Sequence, residues 1–290
     1  MITVTDHVKT LIPPRYFPAA RKLYWWLRYQ KLYRWFRVLP YRGNQVYCPC
    51  CDSDFRCFIP CGSPPHQNGI CPRCETLNRH RLLWLYLHNC TNILRDRLRV
   101  LHFAPEVIIQ KRLRAYPNLD YTSADLDSPF AMVKMDITQI PYAENTVDII
   151  LCSHVLEHIP DDHKAMSELY RILKPGGWAI IQVPIIDPER AETFEAPDVV
   201  DPRERYRLFG QADHVRLYGR DFKNRLERAG FTVEQNFYAR ELGPALTQRY
   251  GLLEWEDMFY CTKPTSTAPE KEGPEAKGEV RTMEKKEGTI

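Results

Sequence analysis

Two cysteine pairs, Cys48-Pro49-Cys50-Cys51 and Cys71-Pro72-Arg73-Cys74, stand with nineteen residues between them. Each C-x-x-C turn aims two sulfurs at one point, and two such turns at this separation present four thiolates to one tetrahedral zinc ion. Cys48, Cys51, Cys71 and Cys74 are the predicted ligands. Cys50 falls between them, and Cys57 and Cys61 have no paired knuckle. A redox dithiol needs only one C-x-x-C, so the duplicated knuckle favours metal. A closed four-thiolate site is structural, so this zinc is not read as a catalyst. The intervening Gly62, Pro64, Pro65 and Gly69 describe a loop with little besides an ion to hold it. A second set of chemistry-bearing residues follows much later: Asp136, then Ser153, His154, Glu157 and His158, then Asp187. His154 to His158 also matches H-x-x-E-H, the inverted zinc-protease signature. Pro160 leaves too little helix there for two histidines to share a face, which argues against a protease.

The second set needs a scaffold, and the residues around it supply one. Val147 to Cys152 and Trp178 to Val183 are short runs rich in Ile and Val, the pattern of buried parallel strands. Between them one helix is predicted. It starts at the acidic pair Asp161 and Asp162, carries Met166, Leu169, Tyr170 and Leu173 at helical spacing, and stops at Lys174-Pro175-Gly176-Gly177. Strand, helix, strand of this length makes a right-handed crossover. Open α/β sheets bind ligands beyond the carboxyl ends of their strands, where the polar residues concentrate here.

With 290 residues and 44% hydrophobic content, the chain can bury a full core and a small satellite module. The formal charge of +3 is too small to name a partner. No apolar run approaches the roughly 20 residues that cross a bilayer. The start, MITVTDHVKT, lacks the basic-then-apolar pattern of a secretory signal. A cytoplasmic location is expected, and seven of ten cysteines crowded between residues 48 and 74 then favour metal over disulfides.

The later stretch resembles the class I S-adenosylmethionine-dependent methyltransferases of the type 11 group, whose post-strand segments read like D-I-x-x-I-P-Y, V-L-E-H-I and L-K-P-G-G. The likeness covers roughly Arg99 to Lys263. It implies an α/β fold: a Rossmann-like seven-stranded methyltransferase sheet with helices on both faces and an antiparallel last strand, preceded here by the zinc ribbon and a basic aromatic helix. The implied organisation is a basic aromatic arm over 1–44, the ribbon over 45–78, the methyltransferase domain over 79–263 and a disordered tail over 264–290. In the family the first strand's turn carries an acid and glycines. This chain departs from that pattern: His102 stands where the acid would be, Ala104 and Pro105 replace permissive residues, and Glu106 takes a later glycine's place. S-adenosylmethionine has no phosphate to cradle, so Ala104 and Glu106 remain candidates for its methionine end.

The strand Asp120 to Ala124 ends in Asp125-Leu126-Asp127, and an acid about 20 positions beyond the first turn is where a ribose diol is gripped. Asp125 is the better placed of the two aspartates. A third strand, Ala131 to Met135, leads to Asp136 and Ile137, which by resemblance would accept the adenine amino group and pack on the ring. For either aspartate the plain alternative is a helix cap or Asx turn. Ser153 and His154 would border the pocket, and Glu157 and His158 would hold their loop by hydrogen bonds. A histidine before the helix Asp221 to Ala229 tends to approach the active site in related enzymes, which here is His214. If the acceptor is a hydroxyl, His154 or His214 fits the role of base. The polar segment from Ile185 to Val215 reads as a substrate-covering insertion.

Before the ribbon, nine basic and no acidic residues lie between Lys9 and Arg42, interleaved with aromatics. A helix over Pro18 to Leu39 would put Trp25, Tyr29, Leu32, Phe36 and Leu39 on one face and Arg28, Lys31, Arg34 and Arg37 on the other. Such a helix packs on its own domain, lies on an anionic membrane surface, or contacts RNA. The helix Asn78 to Asn89 faces Leu82, Leu85 and Tyr86 inward, while Arg79, His80 and Arg81 read as ordinary surface residues or contacts to a substrate anion. The leading expectation is a zinc-containing methyltransferase using S-adenosyl-L-methionine on a small-molecule or glycan acceptor. The alternatives are an RNA methyltransferase using arm and ribbon, and a non-catalytic binding protein with a degenerate cofactor site.

Overall fold

The computed structural model describes residues 36–62, 66–187 and 189–265. Most of the basic aromatic helix expected over 18–39, and almost all of the tail expected beyond Lys263, lie outside the described residues. Contacts divide the chain into two compact units. The first takes the residues up to Leu85 together with Leu242–Glu254, and the second takes Tyr86–Glu241 and the residues from Trp255.

In the first unit, two antiparallel hairpins carry the knuckles. Strands β1 (Val46–Cys48) and β2 (Ser53–Phe55) pair across the first, and β3 (Ile59–Cys61) and β4 (His66–Ile70) lead into the second. Helix α1 (Asn78–Cys90) follows. Leu82, Leu85 and Tyr86 are buried as expected, but so are Arg81, Leu83, Trp84 and Leu87, so the middle of α1 has no solvated face. Arg81 thereby corrects its sequence reading. It is fully buried, and its guanidinium donates to the carbonyls of Gly69, Thr76, Tyr250 and Gly251 at 2.6–3.0 Å while lying over the Phe58 ring. The last two carbonyls belong to the end of a helix, Gly243–Tyr250, which the sequence did not announce. That helix ends at Gly251 in the left-handed conformation, where a Cβ would lie 2.4 Å from the Phe58 ring.

The second unit is a seven-stranded sheet. Its strands are β5 (Leu98–Phe103), β6 (Leu119–Asp125), β7 (Val133–Lys134), β8 (Val147–Ser153), β9 (Leu173–Gln182), β12 (Thr232–Asn236) and β13 (Met258–Thr262), in the order β12-β13-β9-β8-β5-β6-β7. The remaining pair, β10 (Phe194–Glu195) and β11 (Arg216–Leu217), forms a small ladder of its own within the insertion. Strands β5 to β9 pair in parallel, and β13 runs antiparallel to both neighbours, the topology of a Rossmann-like methyltransferase sheet. Val147, Ile149, Ile150 and Leu151 are fully buried, as a central strand covered on both faces requires. The third strand shrinks to two residues against the five expected, both exposed at the sheet edge.

The helices of this unit are α2 (Val107–Leu113), α3 (Asp162–Ile172), α4 (Pro202–Phe209) and α5 (Phe222–Arg228), with a single turn at Tyr238–Glu241. Helix α3 begins as expected, the Asp161 carboxylate accepting from the Lys164 amide at 2.9 Å. Its end differs. Lys174 to Gly177 are not a terminating turn but part of β9, which puts four residues between the pairs Val147↔Leu173 and Ile149↔Trp178 where β8 has one. Gly176 takes φ +77° in this bulge, and a Cβ on Gly177 would lie 2.8 Å from the Asp148 carbonyl. Gly177→Ala is therefore expected to destabilise the sheet by about 1–3 kcal/mol in urea unfolding, since the bulge has no room to relax. Among the described residues no helix is long and apolar enough to cross a membrane.

Candidate functional site

The four predicted zinc cysteines converge. The sulfurs of Cys48, Cys51, Cys71 and Cys74 lie within 4.8 Å of one another, with Cys48–Cys74 at 3.6 Å and Cys51–Cys71 at 3.7 Å. A tetrahedron with 2.3 Å Zn–S bonds has an edge of about 3.8 Å, so the spacing fits zinc and is far too long for a disulfide. Hydrogen bonding within the cluster pushes the Cys51 thiol far up and burial does the same for Cys71, while Cys48 and Cys74 are held below the ordinary thiol value. The Thr76 hydroxyl lies 3.4 Å from the Cys48 sulfur and 3.2 Å from that of Cys74. Arg81 anchors the same residue by its carbonyl; burial lowers the Arg81 pKa, and the neighbouring cysteines oppose that only in part. Cys50, Cys57 and Cys61 stand outside the cluster.

In the sheet, β5 leads outward to β6 and β7, after which the chain returns to β8 on the other side of β5. The switch point lies between β5 and β8, and a ligand crevice belongs at their carboxyl ends. Both strands end alike: Ala104 follows β5 with φ +45° and His154 follows β8 with φ +55°. A residue with a Cβ rarely adopts this conformation, so both strand ends carry backbone strain at the switch point.

The other residues predicted for the cofactor divide. Asp125 follows on β6, and its Oδ1 accepts from the amides of Asp127 and Ser128 at 2.8 and 2.7 Å, an Asx turn. Asp136 does the same with the Thr138 amide and hydroxyl, both at 2.8 Å. In each case the turn occupies one carboxylate oxygen only. Leu126 is exposed beside them. Three residues point away from an open site. His102 is fully buried, its Nδ1 2.8 Å from the Tyr121 hydroxyl and its Nε2 3.2 Å from Glu106, so it positions Glu106. Ile137 packs in the sheet core. Ser153 is buried and bonds Gln182 at 3.2 Å.

The two candidate bases stand in one cluster. His154 Nδ1 lies 3.3 Å from Oε1 of Glu157, and its Nε2 lies 3.7 Å from Glu256. Glu157 and His214 are 1% and 2% exposed, and the His214 and His158 rings meet edge to face with centroids 4.7 Å apart. His158 Nδ1 is 3.4 Å from Asp213 Oδ2. Burial, with His158 close by, holds the His214 imidazole below the ordinary histidine value, against the pull of Glu157 and Asp213. Arg216, nearly as buried, fixes the loop by donating to the carbonyls of Leu156, Ile159 and Pro160, and the Val215 amide donates to that of Glu157. Glu256 had no signal in the sequence, being separated from His154 by 102 positions and lying in no motif.

Residues 96–181 match the methyltransferase domain family. Among curated proteins, the ubiquinone/menaquinone biosynthesis C-methyltransferase UbiE of Haemophilus ducreyi is 29% identical over 123 residues, covering 38% of this chain and 47% of that protein. The arsenite methyltransferase of Aquipseudomonas alcaligenes is 29% identical over 97 residues, covering 33% of this chain and 26% of the relative. The chain thus spans less than half the length of these relatives. Among solved structures, a SAM-dependent methyltransferase from Archaeoglobus fulgidus aligns with a TM-score of 0.44 and 15% identity, over 63% of this chain and 93% of that one.

Proposed function

We propose that this chain is an S-adenosylmethionine-dependent methyltransferase with a structural zinc ribbon, acting on a small-molecule or glycan-type acceptor. The observation that carries the reading is the β5–β8 switch point, where Ala104 and His154 follow the two strands in the left-handed conformation and Asp125 and Asp136 stand at the ends of the next two strands. These residues fit the cofactor by donor chemistry. Asp125 has a carboxylate oxygen beyond its Asx turn to take the ribose hydroxyls, and Asp136 has one for the adenine amino group. When bound, the cofactor supplies an electrophilic methyl on a sulfonium. The chain's part is to align an acceptor in line with that methyl, and positioning of this kind supplies on the order of 7–11 kcal/mol at best. His154, held by the buried Glu157, is the group proposed to take the acceptor's proton. The insertion, which holds the β10–β11 ladder and α4, is read as the cover on the acceptor side.

Calorimetric titration of the full chain with S-adenosylmethionine tests this. Binding is expected for the wild type, and Asp125→Asn, which keeps the turn acceptor but loses the charge, is expected to weaken it by about tenfold to a hundredfold, the worth of a charged hydrogen bond of about 1.5–3 kcal/mol. Folded protein with no affinity for the cofactor would refute the enzyme reading.

A further inference from the structure

Glu157, His158 and His214 each offer one ligand atom, and these atoms lie within 4.8 Å of one another. Two of the three residues are sealed from water with a polar atom left over. Oε2 of Glu157 and Nδ1 of His214 are buried without a hydrogen-bond partner. Such atoms are costly, on the order of 1–3 kcal/mol each, unless something satisfies them. Methyl transfer through His154 uses neither, because His154 engages the other Glu157 oxygen. Beside them, His158 has Asp213 within 3.4 Å of its Nδ1, the type of outer partner that orients a metal-binding imidazole.

We propose that Glu157, His158 and His214 form a second metal site, taking a divalent transition ion of the zinc, iron or manganese kind through two imidazoles and one carboxylate. Mixed nitrogen and oxygen donors select this class over calcium or magnesium. Three protein ligands leave at least one position open, as a catalytic metal requires and the four-thiolate site does not. The side chain of His158 is one third exposed, so the open side faces it. The site follows β8 at the same edge as His154 and Asp136. If the methyl-transfer reading holds, the ion would supply a Lewis acid that lowers the pKa of an acceptor hydroxyl; its oxygen would bond to the methyl as the methyl–sulfur bond breaks, the sulfur leaving as a neutral thioether, and His154 would take the hydroxyl's proton. The site itself does not depend on that reading.

Cobalt(II) titration of the untagged, metal-stripped full chain tests the site without cofactor or acceptor. Two equivalents per chain are expected: one with the intense thiolate charge-transfer absorption of the cysteine site, and one with weak d–d bands alone. His158→Ala, at the exposed ligand, is expected to weaken the second equivalent at least tenfold and leave the thiolate band intact. Glu157→Gln is expected to do the same if it folds. A single equivalent in the wild type, or a second one unchanged in His158→Ala, would overturn the proposal. Cofactor calorimetry on the same samples reads the methyltransferase reading separately.

Discussion

Stripping the metal from the cysteine site is expected to unfold β1 to β4 and the start of α1, and returning zinc to refold them. The hairpins are short: β1, β2 and β3 have three residues each. An isolated two-stranded ribbon is marginal in water. Their inner residues, Phe55, Phe58 and Tyr47, form a small core closed by Arg81, which needs the thiolate cluster to balance its charge. Structural zinc contributes about 10–16 kcal/mol in small zinc modules. In hydrogen exchange, amides of β1–β4 should lose protection on chelation, while those of β5, β8 and β9 keep theirs. Unchanged protection after complete metal loss would show that packing alone holds the ribbon. Arg81→Met should lower zinc affinity even though it adds no ligand.

Asp162→Ala is expected to destabilise the second unit by about 3–5 kcal/mol, the cost of breaking a buried ion pair from one side. The Asp162 carboxylate is 2% exposed and lies 2.9 Å from Arg225, 2.7 Å from the Tyr218 hydroxyl and 3.7 Å from Arg216. Removing it leaves two arginines in the interior with only Glu195 between them. Burial alone would raise the Asp162 pKa, but the hydrogen bonds from Arg225 and Tyr218 and the arginine charges hold it below the ordinary aspartate value. The sign of the pH effect follows. Since the folded pKa is depressed, this stabilisation is complete above the unfolded value of about 3.9 and is lost as pH falls through the folded value. The wild type should therefore lose stability in that acid range more steeply than Asp162→Ala, measured by urea unfolding across pH. Parallel curves would remove Asp162 from the account.

Much of the scaffold was legible because its signals are local. The Ile and Val runs became β8 and β9, the aspartate pair started α3, and the spacing of the two knuckles brought four sulfurs together. What escaped depended on distant partners. An arginine on α1 reads as solvated until carbonyls from residues 250 and 251 converge on it. Lys-Pro-Gly-Gly reads as a turn because its bulge appears only when β8 lies beside it. The eight-residue helix at Gly243 begins with Gly-Pro and has too few turns to establish a period. At the site, the aspartates at the strand ends were visible as residue types, but His102 as a buried positioning group and Glu256 as a histidine partner were not.

The hold of Arg216 on Leu156, Ile159 and Pro160, together with its 2.8 Å contact to Glu195, bears on how this insertion could be exchanged. Surface insertions are ordinarily exchangeable between relatives, and new specificities arise by swapping them. Here one guanidinium stitches the insertion to the loop bearing Glu157 and His158, so the two segments cannot drift apart in sequence without loss. A chimera that imports a foreign segment for residues 185–215 and omits an acid at position 195 would lose the ion pair that ties the segment to Arg216. Grafts that carry the Glu195–Arg216 pair as a unit keep that tie to the loop bearing Glu157 and His158.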